Sequence, residues 1–264
     1  MNELSTTPRR PRIARRLLRA AHLALAALLA AAPARADGLA DLRATLARLP
    51  GAATVRAALE LYVVNRTKGE ENRDDEGRAK VDLAAGPQGV SITYRQSELE
   101  QAGAEMRAQR ADPERRSPGR TALREINGLD IAEYLSFAGP LLARLERATL
   151  VAERREAYQG RPANTLTLKL EPALRKEEMA HVKESVYTMK LWVGGDGLPL
   201  AAETSLHGKA GILFLNFKNL SHETWEFARA GDRLVVTRHH QEIDASGLGQ
   251  EFHRRTTAVI TLER

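Results

Sequence analysis

Two hydrophobic periods organise this chain. Leu42, Leu46 and Leu49 recur at near-helical spacing over 41–49, and Pro50-Gly51 stops the run. Over 54–64 the period falls to two, with Val55, Ala57, Leu59, Leu61 and Val63 on one parity, which predicts a half-buried strand. Residues 66–78 are densely charged and read as a solvated connection, since Asp74, Asp75 and their neighbours lack calcium-loop spacing. Ala79, Val81 and Leu83 alternate with polar residues, a turn follows at 86–89, and Val90, Ile92 and Tyr94 complete a hairpin. A polar helix is expected over 97–111, then a Pro/Gly-rich linker or mobile excursion over 112–120. At 130–146 the residues Ile131, Tyr134, Leu135, Ala138, Leu141, Leu142 and Leu145 form an apolar stripe behind Asp130 and Glu133, which resemble a capping box. Gly139 and Pro140 should kink this helix or split it, giving it a hinge or lid character.

Strand signals return at 149 and persist. Segments 149–157 and 164–170 flank the turn at 159–162, and 172–182 reads as a short helix or loop. Met189, Leu191 and Val193 lead through 194–197 into a returning strand. Residues 212–227 predict one or two strands with a bend near 219–222, and glycines near 231 and 247–249 turn the last two strands. The expectation is a mainly β, α+β fold: one curved antiparallel sheet of about nine to eleven strands, with a central helix covering its concave face.

Charge then separates the chain into two parts. The first 36 residues hold seven arginines and one acid, Glu3, which accounts for the whole formal excess of +6. The remaining 37–264 are balanced, so no basic field recruits phosphates and a nucleic-acid partner is excluded. Arginines, a short alanine-rich apolar run and Ala34-Arg35-Ala36 have the pattern of a cleaved export signal over 1–36. Arg15-Arg16 leaves the twin-arginine route open beside the general one. In a bacterium the mature compartment is the periplasm, and without cysteine there is neither a disulfide framework nor an acyl-anchored amino terminus. The twelve aromatic residues leave an interior that is mainly aliphatic, and pattern alone allows either a closed core or a lipid-accessible cavity under a movable helix.

Tyr158-Gln159-Gly160-Arg161-Pro162-Ala163, the strand bearing Leu166, Leu168 and Leu170, then Leu191-Trp192-Val193 and Gly197-Leu198-Pro199-Leu200, resemble the periplasmic lipoprotein-carrier superfamily. That group holds the LolA-like carriers, the LolB-like receptors and the RseB-type regulators. The resemblance implies an open half-barrel lidded by helices, with a cavity for acyl chains of lipid or lipoprotein. It implies a carrier-like, non-enzymatic protein without cofactor. Leu59, Leu61, Leu135, Leu141, Leu142, Leu191, Leu213 and Phe217 are the candidates for lining such a cavity or, if the interior is closed, for its core. The alternative is a regulatory or scaffold module of the same fold that binds a periplasmic or membrane protein through the charged segment 95–125.

Other chemistry finds little support. His239 and His240 invite a metal site with His207, His222 and His253, but strand neighbours point to opposite faces, so exposed histidines are the better reading. Ser221-His222-Glu223 holds triad residue types without triad geometry, and no Gly-x-Ser-x-Gly elbow occurs. Glu177, Glu178, Asp74 and Asp75 read as solvated surface, whereas Arg154-Arg155 and Arg254-Arg255 suit an anionic headgroup or an acidic partner.

Overall fold

The computed structural model describes residues 38–69, 72–172, 181–212 and 215–263; the expected export signal, Leu213, Glu177, Glu178 and most of 172–182 lie outside them. The helices are α1 (Gly38–Leu46), α2 (Gln96–Ala111), α3 (Pro118–Arg124), α4 (Gly128–Leu135) and α5 (Ala138–Glu146). The strands are β1 (Val55–Lys68), β2 (Arg73–Gly86), β3 (Gly89–Tyr94), β4 (Ala148–Tyr158) and β5 (Arg161–Leu170), followed by β6 (Val182–Val193), β7 (Pro199–Ile212), β8 (Leu215–Ala230), β9 (Arg233–Gly247) and β10 (Gln250–Leu262). All ten form one antiparallel sheet in the order β3-β2-β1-β10-β9-β8-β7-β6-β5-β4. Among the described strands only the β1–β10 pairing is not between sequence neighbours.

The sheet curls. On a flat sheet, four strand spacings would set β3 and β9 about 19 Å apart, whereas a helix of α4's length is about 12 Å long. Yet α4 packs against both strands. The concave apolar face is filled by two clusters. Leu39, Leu42 and Leu46 of α1, with Phe137, Leu141 and Leu145, bury against Leu166, Leu168, Met189 and Leu191. On the other side Ala122, Ile126, Ile131 and Leu135 bury against Leu59, Val81 and Ile260. Each fully buried leucine is worth about 1.5–3 kcal/mol relative to exposure. Tyr134 packs against both clusters.

Tight turns hold the meander. Gln159 and Gly160 have φ of 48° and 77°, and Leu248 and Gly249 have φ of 55° and 75°. These are the paired positive values that a two-residue hairpin loop requires. A glycine at the second position takes that geometry without a Cβ clash.

The structure corrects four sequence expectations. Residues 66–68 and 73–78 are strand and not a connection: β1 and β2 stay paired from Asn65 with Asp75 to Thr67 with Arg73, and charges there form cross-strand pairs such as Arg66 Nε to Asp74 Oδ1 at 3.2 Å. The 112–120 excursion ends in a docked helix. Gly77 lets α3 approach, because a Cβ there would stand 2.3 Å from the Pro118 carbonyl oxygen. The 130–146 helix starts earlier and breaks earlier. Asn127 caps α4, its Oδ1 accepting from the Leu129 and Asp130 amides at 3.0 Å each, so Asp130 lies within the first turn and is not the cap. The break falls at Ser136-Phe137, where the Phe137 amide donates to the Leu234 carbonyl at 2.8 Å, and Gly139 and Pro140 sit in the first turn of α5. There the missing proline N–H leaves no hydrogen bond unmade. Finally, β8 runs unbroken through 219–222.

Candidate functional site

The register sorts each strand into two faces. Trp225 packs on Phe137 of the helical cover, with ring centroids 6.2 Å apart, so Phe217, Asn219, Ser221 and Glu223 share its concave side. Pairing carries that face outward in rows: Tyr187 opposite Leu206, Ser221 opposite Ile243, Asn219 opposite Ala245, and Ala245 opposite Phe252. Tyr187, Leu206, Phe217, Ile243 and Phe252 are all half-buried. Phe217 fills the space that a side chain on Gly247 would need. The result is a trough of half-buried apolar side chains, interrupted by Ser221, Asn219 and Arg254, continuing from the packed core toward the outer strand ends. Glu223 and Phe217 are six positions apart, about 20 Å of strand.

The candidate lining residues divide accordingly. Leu59 and Leu61 are buried at the edge of a cavity beside Tyr134. Leu135, Leu141 and Leu191 are fully buried in the two clusters, and Leu142 on α5 is half-buried. Phe217 lies far from these, at the open end of the trough. A larger groove of about 680 Å³ lies at the opposite strand ends, between α1 and β4–β6, with Leu42 and Leu166 in its floor.

A polar constellation under α4 was not anticipated. His239, expected to be exposed, is 7% exposed and stacks on Trp225 with centroids 5.2 Å apart and planes 10° from parallel. The Tyr134 hydroxyl lies 2.8 Å from His239 Nδ1. His239 Nε2 lies 3.5 Å from Glu223 Oε2, within ion-pair reach, yet it has no hydrogen-bond partner of acceptable geometry. Burial pushes the Glu223 carboxyl up, but His239, Gln241 and Arg144 outweigh it and hold the group below its ordinary range. Burial, with Asp130, Glu223 and Glu133 nearby, pushes the Tyr134 phenol well above its ordinary 10.0. Arg144 lies over the rings of Phe137 and Trp225 at 5.2 and 5.3 Å. These groups line a cavity of about 240 Å³.

Simple alternation along β9 hides this cluster. Leu234 and Val236 pack with Phe137 in the core, and continued alternation from them would turn residues 238 and 240 inward. The β8–β9 register shifts instead: Phe227 pairs with Val236 and Glu226 with Arg238, leaving Thr237 unpaired. The next inward residue is therefore His239, opposite Trp225. Arg144 and Gln241 carried no signal in the sequence beyond being polar.

The remaining candidates separate. His240 bonds to Thr257 and His253 to Asp244 on the convex face, opposite to His239. Among the described residues no group of three or more metal-ligating side chains assembles. Ser221 and Glu223 face inward and His222 outward, which splits the triad residue types between faces. Arg254 and Arg255 are engaged by Glu125 and Glu242 at 2.6 and 3.0 Å, while Arg154 and Arg155 are exposed. Helix α2 has no buried residue and is held to α3 by polar contacts, such as the Arg120 amide donating to Glu105 at 3.1 Å.

These elements define an α+β protein with one open, curled antiparallel sheet whose concave face carries a helical cover. No family model and no curated protein matches the chain. Among solved structures it is similar to a LolA superfamily protein from Nitrosomonas europaea, at 13% identity over 85% of this chain and 93% of that one, with a TM-score of 0.22. It is also similar to MucB in complex with MucA(peri), at 10% identity over 84% and 93%, with a TM-score of 0.20.

Proposed function

We propose that the protein is an exported, non-enzymatic binding protein of the periplasm that receives an acyl chain of a lipid or lipoprotein on its concave face. The trough of Tyr187, Leu206, Phe217, Ile243 and Phe252 carries this reading, because it continues the apolar core into half-buried, ligand-accessible surface. Affinity from such a surface grows with chain length, at about 0.8 kcal/mol per fully covered methylene, or about fourfold in Kd. Calorimetric titration of the chain from residue 37 with saturated fatty acids of increasing length tests it. Affinity should rise with each methylene and collapse in Ile243→Asp and Phe217→Asp. Binding that ignores chain length, or survives both variants, refutes it.

A second reading has its own observation. A helix without one buried side chain, exposing Leu99 and Met106 at 53% and 39%, suits a protein partner. Changing both to glutamate should abolish partner cross-linking with the fold retained, and unchanged cross-linking would count against this surface.

A further inference from the structure

The cavity under Tyr134 is lined by a buried imidazole whose Nε2 makes no well-formed hydrogen bond. The Tyr134 hydroxyl lies 2.8 Å from His239 Nδ1, and in the neutral imidazole with its proton on Nε2 the phenol donates to Nδ1. The opposite tautomer would set a nitrogen lone pair against the Glu223 carboxylate, 3.5 Å away. Nε2–H thus meets the Glu223 carboxylate only at ion-pair distance, without a well-formed hydrogen bond, on a side chain more than nine-tenths buried that lines the same cavity as that acid.

A ligand group that completes this arrangement must accept from Nε2–H and donate to Glu223. A hydroxyl does both. An ammonium offers no acceptor, and a carboxylate or phosphate offers no proton to Glu223 and meets four acids, Glu125, Asp130, Glu133 and Glu223, against two arginines, Arg144 and Arg254, the latter already paired with Glu125. A volume of about 240 Å³ admits a group of glycerol size with a few waters. Glu223 and Gln241 are cross-strand partners, and the next concave pair, Ser221 and Ile243, begins the apolar trough.

We propose that this cavity binds the hydroxyls of a polyol, with His239 donating and Glu223 accepting, and so selects glycerol- or sugar-headed lipids whose chain follows the trough. The lipid part rests on the acyl-binding reading above; the hydroxyl site does not. Trp225 is the reporter. Trp192, the other tryptophan, packs with Tyr158 and Lys190 outside the cavity, so Trp192→Phe leaves a single fluorophore.

Three probes are titrated into that background: monomyristoylglycerol, myristic acid and free glycerol. Monomyristoylglycerol should bind at least tenfold more tightly than the acid, and His239→Phe and Glu223→Gln should each remove that preference while retaining acid binding. Glu223→Gln carries the test if His239→Phe proves unfolded by circular dichroism. Equal affinity for the two acyl probes, or a preference that survives both variants, overturns the hydroxyl site and leaves the acyl reading standing. A Trp225 response to glycerol alone, lost in the variants, supports the hydroxyl site, assigns it to a free polyol and overturns the acyl reading. No response to any probe overturns both.

Discussion

Phe137 decides whether the space between sheet and helices is packed. It is 2% exposed, stacks on Phe227 with centroids 5.4 Å apart, lies 6.2 Å from Trp225, and leads into α5. Truncation to alanine removes the ring and leaves a cavity that the surrounding strands cannot close. Buried Phe→Ala changes cost about 3–5 kcal/mol, against a total stability of about 5–15 kcal/mol for a domain. With a urea dependence of about 2 kcal/mol per molar, the unfolding midpoint should fall by about 1.5–2.5 M. Far-UV circular dichroism across a urea series measures this, with Leu129→Ala as the control. Leu129 is 82% exposed, and its truncation should change stability by less than about 0.5 kcal/mol. A shift below about 0.5 M for Phe137→Ala, comparable with the control, would refute the packed interior and favour a preformed void.

Three further outcomes follow from the geometry. Asn127→Ala removes the acceptor for the Leu129 and Asp130 amides and should cost about 1 kcal/mol in thermal or urea unfolding. Gly77→Ala sets a Cβ against the Pro118 carbonyl and the Ala122 amide, so α3 should lose hydrogen-exchange protection; wild-type protection in the variant would contradict the close approach. Asp232 accepts from the Ala53 and Ala52 amides, which holds its folded value below the ordinary 3.8. A depressed carboxylate stabilises the fold above its unfolded value, and that contribution is lost as pH falls through the folded value. The gap in melting temperature between wild type and Asp232→Asn should therefore be constant at neutral pH and close below about pH 4.

Much of this architecture is legible in the alternation itself. Leu166, Leu168 and Leu170, or Val81 and Leu83, share a face because side chains on a strand repeat every two residues, and the glycines at 160 and 249 mark the tight turns. Charge balance likewise assigns the basic excess to residues 1–36. Charged strand ends were not legible. Arg66 and Asp74 stabilise each other only because pairing brings them together across a hairpin, and composition alone gives them the look of a loop.

Residue order alone is enough to set the succession of strands, their turns and which residues share a face along each uninterrupted run. Long-range packing settled which face lies beneath the helices, that α3 docks where Gly77 has no side chain, and that the cover breaks at Ser136 and Phe137. It also created the polar cavity. The unpaired Thr237 shifts the parity of β9, and only non-local pairing reveals that shift, which turns His239 inward onto Trp225 beside Glu223 and Tyr134.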